Sequence, residues 1–258
     1  MNKVVKAIRT PYYRALGYYP TTIQGLTFKC DPYHIAFWRS VSKCRWEPHT
    51  YGILSRFLHH DSVYCDIGAW IGPTVIYAAK KCKQVICFEP DFFAYRYLLW
   101  NIQLNKLHNV MPFNVALTDR NAIIKMASFG HKLGDSTTSL LDTGREEGAI
   151  HVLTMTWKTW ADICKPEVVD FMKIDIEGGE FSLLPMLKDY LASNKPIIYL
   201  STHTPLISRS DRREQMQRVI QVMKIYKTCL NEELERVDIN ELNSNDTIDH
   251  FRSFLFMD

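Results

Sequence analysis

The stretch DFMKIDIEGGEF, residues 170–181, ends an apolar run on two carboxylates and then breaks at two glycines. The apolar residues predict a buried strand. Asp175 and Glu177 predict a ligand, a cation or solvent at its end, because charged side chains are rarely buried without a partner. Gly178 and Gly179 allow the chain to turn there into a following helix. The stretch therefore predicts a strand, a turn and a helix, with a functional site at the turn.

The same alternation of strands and helices recurs from residue 61 onward. Short runs rich in β-branched and aromatic residues predict strands at 62–69, 84–90, 109–119, 168–174 and 196–202. Segments with helical spacing of apolar residues separate most of these runs, and a polar-rich helix over 209–230 precedes a closing strand near SFLFMD. This pattern is typical of an α/β fold in which helices cover a mostly parallel sheet.

Residues 1–45 lack this alternation and are rich in tyrosine, phenylalanine and tryptophan. They are predicted to form an N-terminal appendage or lid on a main domain of residues 46–258. A chain of 258 residues is long enough for one sizeable domain with such an appendage. Two interpretations of the aromatic side chains stay open, namely a platform for sugar rings or a small core of their own.

The amino-acid composition limits which binding partners and which cellular compartment are expected for this chain. A net charge of +3 is too close to neutral to indicate nucleic acid by itself. The seven cysteines form no CxxC pair and no zinc-like spacing, which predicts reduced thiols in a cytoplasmic protein. No apolar run approaches the roughly 20 residues needed to cross a bilayer, and the charges of the first segment are too closely spaced for a signal peptide.

The N-terminal segment is basic and partly apolar. It sets Lys3, Lys6, Arg9 and Arg14 among aliphatic residues and tyrosines, which allows a short amphipathic helix at the inner face of a membrane. The alternative, which we favour, is that this face packs on its own domain.

Acidic residues and glycines at the strand ends predict a nucleoside site. Asp66 ends the first strand and is followed by Gly68 and Gly72, where the chain turns closely past a ligand into a helix. Glu89 ends the second strand, in position to accept hydrogen bonds from both ribose hydroxyls. The spacing DxGxxxG differs from the GxGxxG of dinucleotide sites, and Asp66 would repel a phosphate. S-adenosylmethionine, a cationic nucleoside, fits better.

Five motifs, VYCDIGAWIG, VICFEP, NVALTD, GDSTTSL and DFMKIDIEGGEFSLL, resemble the FkbM family of S-adenosylmethionine-dependent methyltransferases in order and spacing. The resemblance covers roughly residues 45 to 230. It implies a Rossmann-like class I methyltransferase fold with a mostly parallel seven-stranded sheet and helices on both faces. It also implies O-methylation of hydroxyls, often on sugars of bacterial surface polysaccharides or on secondary metabolites. Two departures are Trp70, where the family often has Asn, and Ser201, where it commonly has Glu.

The motifs and strand ends together predict the residues of the site. The predicted cofactor-binding residues are Asp66, Gly68, Ala69, Trp70, Gly72, Glu89, Pro90, Asn114, Ala116, Ser136 and Asp175. Asn114 and Ala116 are expected beside the adenine. Ser136 belongs to a long polar loop at 131–148.

The predicted catalytic residues are Asp175, Glu177 and His203. Methyl transfer to an alcohol needs a positioned hydroxyl and a base, and His203, one strand beyond Asp175, is the preferred base. The less favoured alternative is that the three side chains bind a divalent cation, since hard cations take oxygen ligands. Glu180 is expected to be only the acidic first turn of a helix.

The favoured function is O-methylation of a hydroxyl, on a sugar of a surface polysaccharide or glycolipid. The alternatives are a small secondary metabolite as acceptor, or a non-catalytic module that binds cofactor or glycan. A nucleic-acid amino-methyltransferase is disfavoured, because a [DNS]PP[YFW] turn is expected after the fourth strand and the chain reads DIEGGE there. The sequence does not predict the acceptor's identity, the hydroxyl position or the oligomeric state.

Overall fold

The computed structural model describes residues 3–130, 132–141 and 149–258, with side chains from residue 10 onward. The helices in these residues are α1 Lys3–Leu16, α2 Ile35–Ser42, α3 Pro48–Phe57, α4 Pro73–Ala78, α5 Phe92–Leu104, α6 Trp157–Cys164, α7 Glu180–Asn194, α8 Arg212–Met223 and α9 Asn245–Asp249. The strands are β1 Tyr19–Ile23, β2 Leu26–Cys30, β3 Val63–Ile67, β4 Gln84–Phe88, β5 Val110–Phe113, β6 Ala116–Leu117, β7 Ala122–Ser128, β8 Thr138–Ser139, β9 Ile150–Met155, β10 Phe171–Ile174, β11 Ile197–Thr202, β12 Thr228–Leu230 and β13 Arg252–Met257.

Seven strands form the central sheet, in the order β12-β13-β11-β10-β3-β4-β5. All of them run parallel except β13, which is antiparallel to both of its neighbours. The chain leaves β3 toward β4 on one side, while β10 pairs with β3 on the other. Ligands bind at such a switch of strand order, outside the carboxyl ends of the strands. The predicted α/β fold with a mostly parallel seven-stranded sheet is confirmed.

A second, four-stranded sheet has the order β6-β9-β7-β8. This small sheet shows that the prediction of a single strand over residues 109–119 is wrong. β5 ends at Phe113 and stays in the central sheet, whereas β6 pairs with β9 in the small sheet. The chain turns between them because the side-chain amide of Asn114 donates to the carbonyl oxygens of Glu89 and Pro90. The small sheet carries residues 132–141 toward the carboxyl ends of the central strands.

Two hydrophobic clusters cover the two faces of the central sheet. One packs α6, α7 and α8 on it through Trp160, Leu187 and Met223. The other packs α3, α4 and α5 through Leu54, Ile76 and Leu98. The middle strand β3 is therefore buried along its whole length, which explains why VYCDI shows no alternation of polar and apolar residues.

The N-terminal hairpin packs on the main domain. Ile23, Phe28 and Trp38 are buried in the same cluster as α3, α4 and α5. The backbone N–H of Asp31 donates to Oδ1 of Asn101 in α5 at 2.7 Å, and the Asn101 amide donates to the carbonyl oxygen of Ile71. The boundary at residue 45 stays a prediction, but the hairpin has no separate core of its own among these residues.

The predicted membrane contact is not tested, because the side chains of Lys3, Lys6 and Arg9 lie outside the described residues. Within the described part, no helix is long and apolar enough to cross a membrane. All seven cysteines are free thiols, and five of them are buried.

Asp31 anchors the N-terminal segment, and its replacement tests that role. Its buried carboxylate accepts hydrogen bonds from the backbone N–H groups of Tyr33 and His34 and from the indole N–H of Trp38. Asp31→Ala leaves these donors without an acceptor, so we expect the free energy of unfolding in urea to fall by about 2 to 4 kcal/mol. Asp61→Ala, at an exposed site, is the control and should change it by less than about 0.5 kcal/mol.

The effect of Asp31→Ala depends on pH. Burial opposes ionisation of Asp31, but hydrogen bonds from His34 and Trp38 outweigh it and hold its pKa below the usual value. A lowered pKa in the folded state stabilises the fold above the unfolded pKa of about 3.9, and this stabilisation is lost as the pH falls through the folded pKa. The stability difference between wild type and Asp31→Ala should therefore shrink in acid. A difference that grows below about pH 4 would contradict the assigned pairing.

Candidate active site

The turn after β3 holds the two halves of the site together. Gly68 has φ +94°, and a Cβ there would lie 1.9 Å from the carbonyl oxygen of Asp175. The backbone N–H groups of Gly68 and Ala69 both donate to the carbonyl oxygen of Phe88 at 3.0 Å. Only glycine fits at residue 68, because the turn is wedged between the ends of β10 and β4. The ends of these strands are thereby fixed around one opening.

Asp66 supports this turn from behind. Its side chain is fully buried, and its Oδ2 accepts hydrogen bonds from the hydroxyls of Thr74 and Tyr64. Its Oδ1 is buried without a partner among the described residues. Burial raises the pKa of Asp66, although the nearby Lys173 ammonium opposes this rise. Asp66 lines neither of the two cavities described below, so the structure places it behind the predicted ligand site.

The first cavity opens beside the end of β4 and, together with the solvent space at its mouth, has a volume of about 590 Å³. Glu89 lies at its wall, with one carboxylate oxygen accepting from the N–H of Trp70 and the other from the N–H of Asp91, each at 2.7 Å. Burial raises the pKa of Glu89 to about 8, against the effect of these N–H groups. Each carboxylate oxygen has a further lone pair, so Glu89 can accept two ribose hydroxyls while it keeps its backbone contacts.

The other side chains of this cavity suit a purine, and Asn114, predicted to lie beside the adenine, is not among them. Its apolar lining includes Phe88, Val115, Leu117, Met126 and Ile176. Among the predicted cofactor residues, those that line it are Gly68, Trp70, Glu89, Pro90, Ala116, Ser136 and Asp175. Asn114 is exposed and outside the lining, because its amide is already bonded to two carbonyl oxygens. The prediction that Asn114 lies beside the adenine is therefore not supported by its position, and Gly72 likewise lies outside the lining.

Residues 132–141 form one wall of the first cavity. The indole N–H of Trp70 donates to the carbonyl oxygen of Gly134 at 2.9 Å, and the Gly134 N–H donates to the carboxylate of Asp91. The Ser139 hydroxyl donates to the carbonyl oxygen of Glu177 at 2.6 Å. Asp91 is not among the predicted site residues, although an aspartate between a strand and a helix is a common N-cap signal. Of the predicted polar loop, residues 131 and 142–148 lie outside the described residues.

A second cavity, of about 1050 Å³, meets the first at the carboxyl ends of β3 and β10. Five residues line both cavities, namely Gly68, Trp70, Ser136, Asp175 and Glu177. Rings and polar side chains surround the second cavity, among them Trp46, Glu47, His49, Lys173, Tyr199, Ser201, His203, Glu232, Phe251, Arg252 and Ser253. Ala69, predicted as a cofactor residue, lines this second cavity. The two spaces together can hold a nucleoside cofactor and an acceptor on either side of the shared carboxylates.

Lys173 is a buried cation beneath the shared carboxylates. Its ammonium lies 2.7 Å from Oδ2 of Asp175, and its side chain is nearly inaccessible. Burial alone would lower the pKa of Lys173, but the carboxylates of Asp175, Asp66 and Glu47 outweigh it and raise the pKa. Asp175 in turn keeps a pKa well below its usual range, because Lys173 and His203 outweigh its burial. Lys173 is not among the predicted site residues, although a lysine inside an apolar strand is a signal for a buried ion pair.

His203 faces carboxylates on both sides of its ring. Nδ1 lies 3.2 Å from Oε1 of Glu180, while Nε2 lies 3.3 Å from Oδ1 of Asp175 and 3.7 Å from Oε2 of Glu177. Burial lowers the pKa of His203, but Glu180 and Asp175 outweigh this effect and raise it to about 11. A protonated imidazole cannot accept a proton, so this geometry does not support His203 as the base.

Glu180 does more than occupy the first turn of α7. It is fully buried, and its carboxylate accepts from the backbone N–H groups of Gly178 and His203. Glu177, by contrast, is only partly buried, and burial raises its pKa to about 7. The structure therefore brings Asp175, Glu177 and His203 together as predicted, and adds Glu180 and Lys173 to them.

The sequence matches the model of a family described as the methyltransferase FkbM domain, over residues 66–234. This match covers more than half of the chain and confirms the resemblance found in the five motifs. A crystal structure of an FkbM methyltransferase from Methylobacillus flagellatus KT aligns with 98% of this chain and 59% of its own chain, with 14% identity and a TM-score of 0.48.

Two curated proteins are similar over part of the chain. A tRNA(Phe) (4-demethylwyosine(37)-C(7)) aminocarboxypropyltransferase from Methanocaldococcus jannaschii is 31% identical over 166 residues, 58% of this chain and 62% of that protein. The tRNA (guanine(37)-N(1))-methyltransferase Trm5b from Pyrococcus abyssi is 30% identical over 94 residues, 34% of this chain and 28% of that protein. The chain thus matches less than two thirds of the length of either relative.

Glu89 provides a test of the first cavity. We expect Glu89→Ala to weaken the binding of S-adenosylmethionine and S-adenosylhomocysteine by more than about tenfold, because two hydrogen bonds from ribose hydroxyls to a carboxylate are lost. Isothermal titration calorimetry measures this change, with NAD as a control nucleotide. Glu235→Ala, at an exposed site, serves as the control variant. Equal affinity of Glu89→Ala and wild type would place the ribose elsewhere.

Proposed function

We propose a specific reaction for this chain, which belongs to the FkbM methyltransferase family and has S-adenosylmethionine as its methyl donor. The methyl group passes to a hydroxyl of a sugar, within a surface polysaccharide or a glycolipid. One observation carries the proposal. Asp175 and Glu177 lie where a cavity lined by Glu89 and apolar side chains meets a second, polar and aromatic cavity. A hydroxyl that enters from the second cavity reaches carboxylates beside the cofactor.

The residues present fit the cofactor. Glu89 would bind the ribose and the apolar lining of the first cavity would receive the adenine, while Ser136 and Asp175 line both cavities. When bound, the cofactor supplies an electrophilic methyl group, whose transfer breaks a C–S bond, forms a C–O bond and releases the hydroxyl proton. The chain's own side chains must orient the acceptor and take up this proton.

Glu177 is the best placed acceptor of the proton. It lines both cavities, and Nε2 of His203 lies 3.7 Å from its Oε2. Asp175 is more firmly engaged, because Lys173 lies 2.7 Å from one of its oxygens and His203 lies 3.3 Å from the other. In this proposal Asp175 remains a fixed negative charge that favours a cationic cofactor, and His203 positions both carboxylates.

The lining of the second cavity favours a sugar. Trp46, Trp70 and Phe251 offer ring faces on which the apolar side of a sugar can pack, and Ser201 and His49 offer hydrogen-bonding groups for hydroxyls. The basic side chains Lys173 and Arg252 of the same lining are already paired with Asp175 and Asp246, which disfavours a phosphate backbone. The similarity to two tRNA-modifying proteins nevertheless makes tRNA the second substrate class to test.

The acceptor class is tested by measuring S-adenosylhomocysteine release with S-adenosylmethionine and a panel of acceptors. The panel contains lipid-linked sugars, polysaccharide fragments, small hydroxylated metabolites and unmodified tRNA transcripts. We expect turnover with a sugar, and mass spectrometry of the product should locate the methyl group on oxygen. Turnover with tRNA alone would overturn the proposal, and turnover with a metabolite alone would select the secondary-metabolite alternative. Saturable cofactor binding without any turnover would favour a non-catalytic module.

Glu177→Gln tests the assigned base. The amide keeps the size of the side chain but cannot take up a proton, so we expect the turnover number to fall by about 100-fold or more. The affinity for S-adenosylhomocysteine should stay within about threefold of wild type, since Glu89 and the apolar lining are unchanged. Glu235→Ala, at an exposed site outside both cavity linings, is the control variant. A turnover number like that of wild type would remove Glu177 from the mechanism.

A further inference from the structure

We propose that Asp175, Glu177 and His203 bind a small divalent cation, of the Mg²⁺ and Mn²⁺ class, where the two cavities meet. The binding itself stands on the geometry below, while its catalytic use rests on the function proposed above. The sequence analysis kept this cation only as the less favoured alternative. The arrangement of the three side chains and of their neighbours now favours it.

The three ligand atoms already have the spacing of a coordination site. Nε2 of His203 lies 3.3 Å from Oδ1 of Asp175 and 3.7 Å from Oε2 of Glu177. One ligand atom of each residue lies within 4.8 Å of the other two. Ligands about 2.1 Å from a common octahedral ion are separated by about 3 to 4 Å, so an ion fits between them with little movement.

A metal ligand must be a neutral imidazole, so an ion at this site displaces the proton from Nε2 of His203 and releases it. The ring is already held in the orientation that a metal ligand requires. The fully buried carboxylate of Glu180 accepts from the backbone N–H of His203 and lies 3.2 Å from its Nδ1. A carboxylate on the far nitrogen of a histidine fixes the tautomer and directs the other nitrogen at the ion. Glu180 is itself held, because its second oxygen accepts the N–H of Gly178 at 2.9 Å. Nε2 therefore faces the two carboxylates that line the cavities.

Rigid elements supply the ligands. Asp175 directly follows β10 and His203 directly follows β11, and these strands are adjacent and parallel. Glu177 stands in the turn before α7, whose chain is fixed by the bond from the Ser139 hydroxyl to the Glu177 carbonyl oxygen. Lys173 binds only Oδ2 of Asp175 and leaves Oδ1 directed at His203. The site thus offers one nitrogen and two oxygen ligands, with the remaining coordination positions toward the cavities.

The cation would complete the acceptor site. Two carboxylates and a histidine at the junction can hold an ion that in turn orients an acceptor hydroxyl and favours loss of its proton. The hydroxyl proton still passes to a carboxylate. One oxygen of Glu177 binds the ion, and its second oxygen can accept the proton. The ion is neither oxidised nor reduced, so the bonds broken and formed are those of the methyl transfer given above.

A second group of side chains must be separated from this site in any experiment. His59, His60 and Asp61 also lie close enough to share an ion, but all three are exposed and none lines either cavity. Exposed histidines bind transition metals weakly without any role in function. The double variant His59→Ala/His60→Ala removes this source of binding and leaves the junction intact.

The test measures the binding of Mn²⁺ to the chain after bound metal has been removed. Electron paramagnetic resonance monitors the binding, because its signal gives the concentration of free Mn²⁺. We expect one ion per chain in the wild type and in His59→Ala/His60→Ala. Asp175→Asn and His203→Gln should weaken binding by more than about tenfold each. Glu180→Gln should weaken it by about tenfold, as is typical of residues that orient a ligand. Circular dichroism spectra and thermal unfolding transitions like those of the wild type show that each variant is folded.

Two results would overturn the cation site. One is a wild-type chain that binds no Mn²⁺ at 1 mM, about the weakest affinity of interest for a protein cation site. The other is binding that disappears in His59→Ala/His60→Ala and persists in both Asp175→Asn and His203→Gln.

If the metal-stripped chain methylates a sugar at the full rate, the catalytic use fails while the proposed function stands. If Mn²⁺ binds at the junction and no hydroxyl acceptor is methylated, the proposed function fails while the cation site stands.

Discussion

The ion pair between Lys173 and Asp175 is the interaction on which the site depends. A lysine in the middle of a parallel sheet loses its hydration, and only nearby carboxylates can compensate for that loss. Asp175 provides this compensation at 2.7 Å, and Asp66 and Glu47 add to it. Lys173 in turn lets several acids stand close together at one sheet edge without strong repulsion. The buried cation thereby makes an acidic site compatible with a stable core.

The strand ends are the part of the site that could be predicted from the sequence. Asp175, Glu89 and His203 each follow an apolar run, and parallel strands bring their carboxyl ends to one edge. This rule locates residues along the chain, so it correctly placed Glu89 at the first cavity and Asp175 and His203 together. It does not say which way a side chain points. Asn114 also follows a strand, but its side chain does not line the cavity.

Features that depend on contacts between distant segments could not be predicted. The break between β5 and β6 arises from the Asn114 amide and two carbonyl oxygens that lie 24 and 25 residues earlier in the chain. Glu180 resembles an ordinary first-turn acid until His203 is placed beside it, 23 residues later. The docking of the hairpin likewise rests on Asp31 and Asn101, which are 70 residues apart. Local patterns carry no information on such pairs.

The distribution of the free thiols has a consequence for chemical labelling. The five buried cysteines are Cys30, Cys65, Cys82, Cys87 and Cys229. Burial raises the pKa of each of these thiols, so their thiolate forms are scarce at neutral pH. Of the remaining two, only Cys44 is exposed. It lies two residues before Trp46, at the rim of the second cavity. A maleimide fluorophore should thus attach mainly at one natural position, where its emission reports on whatever enters that cavity.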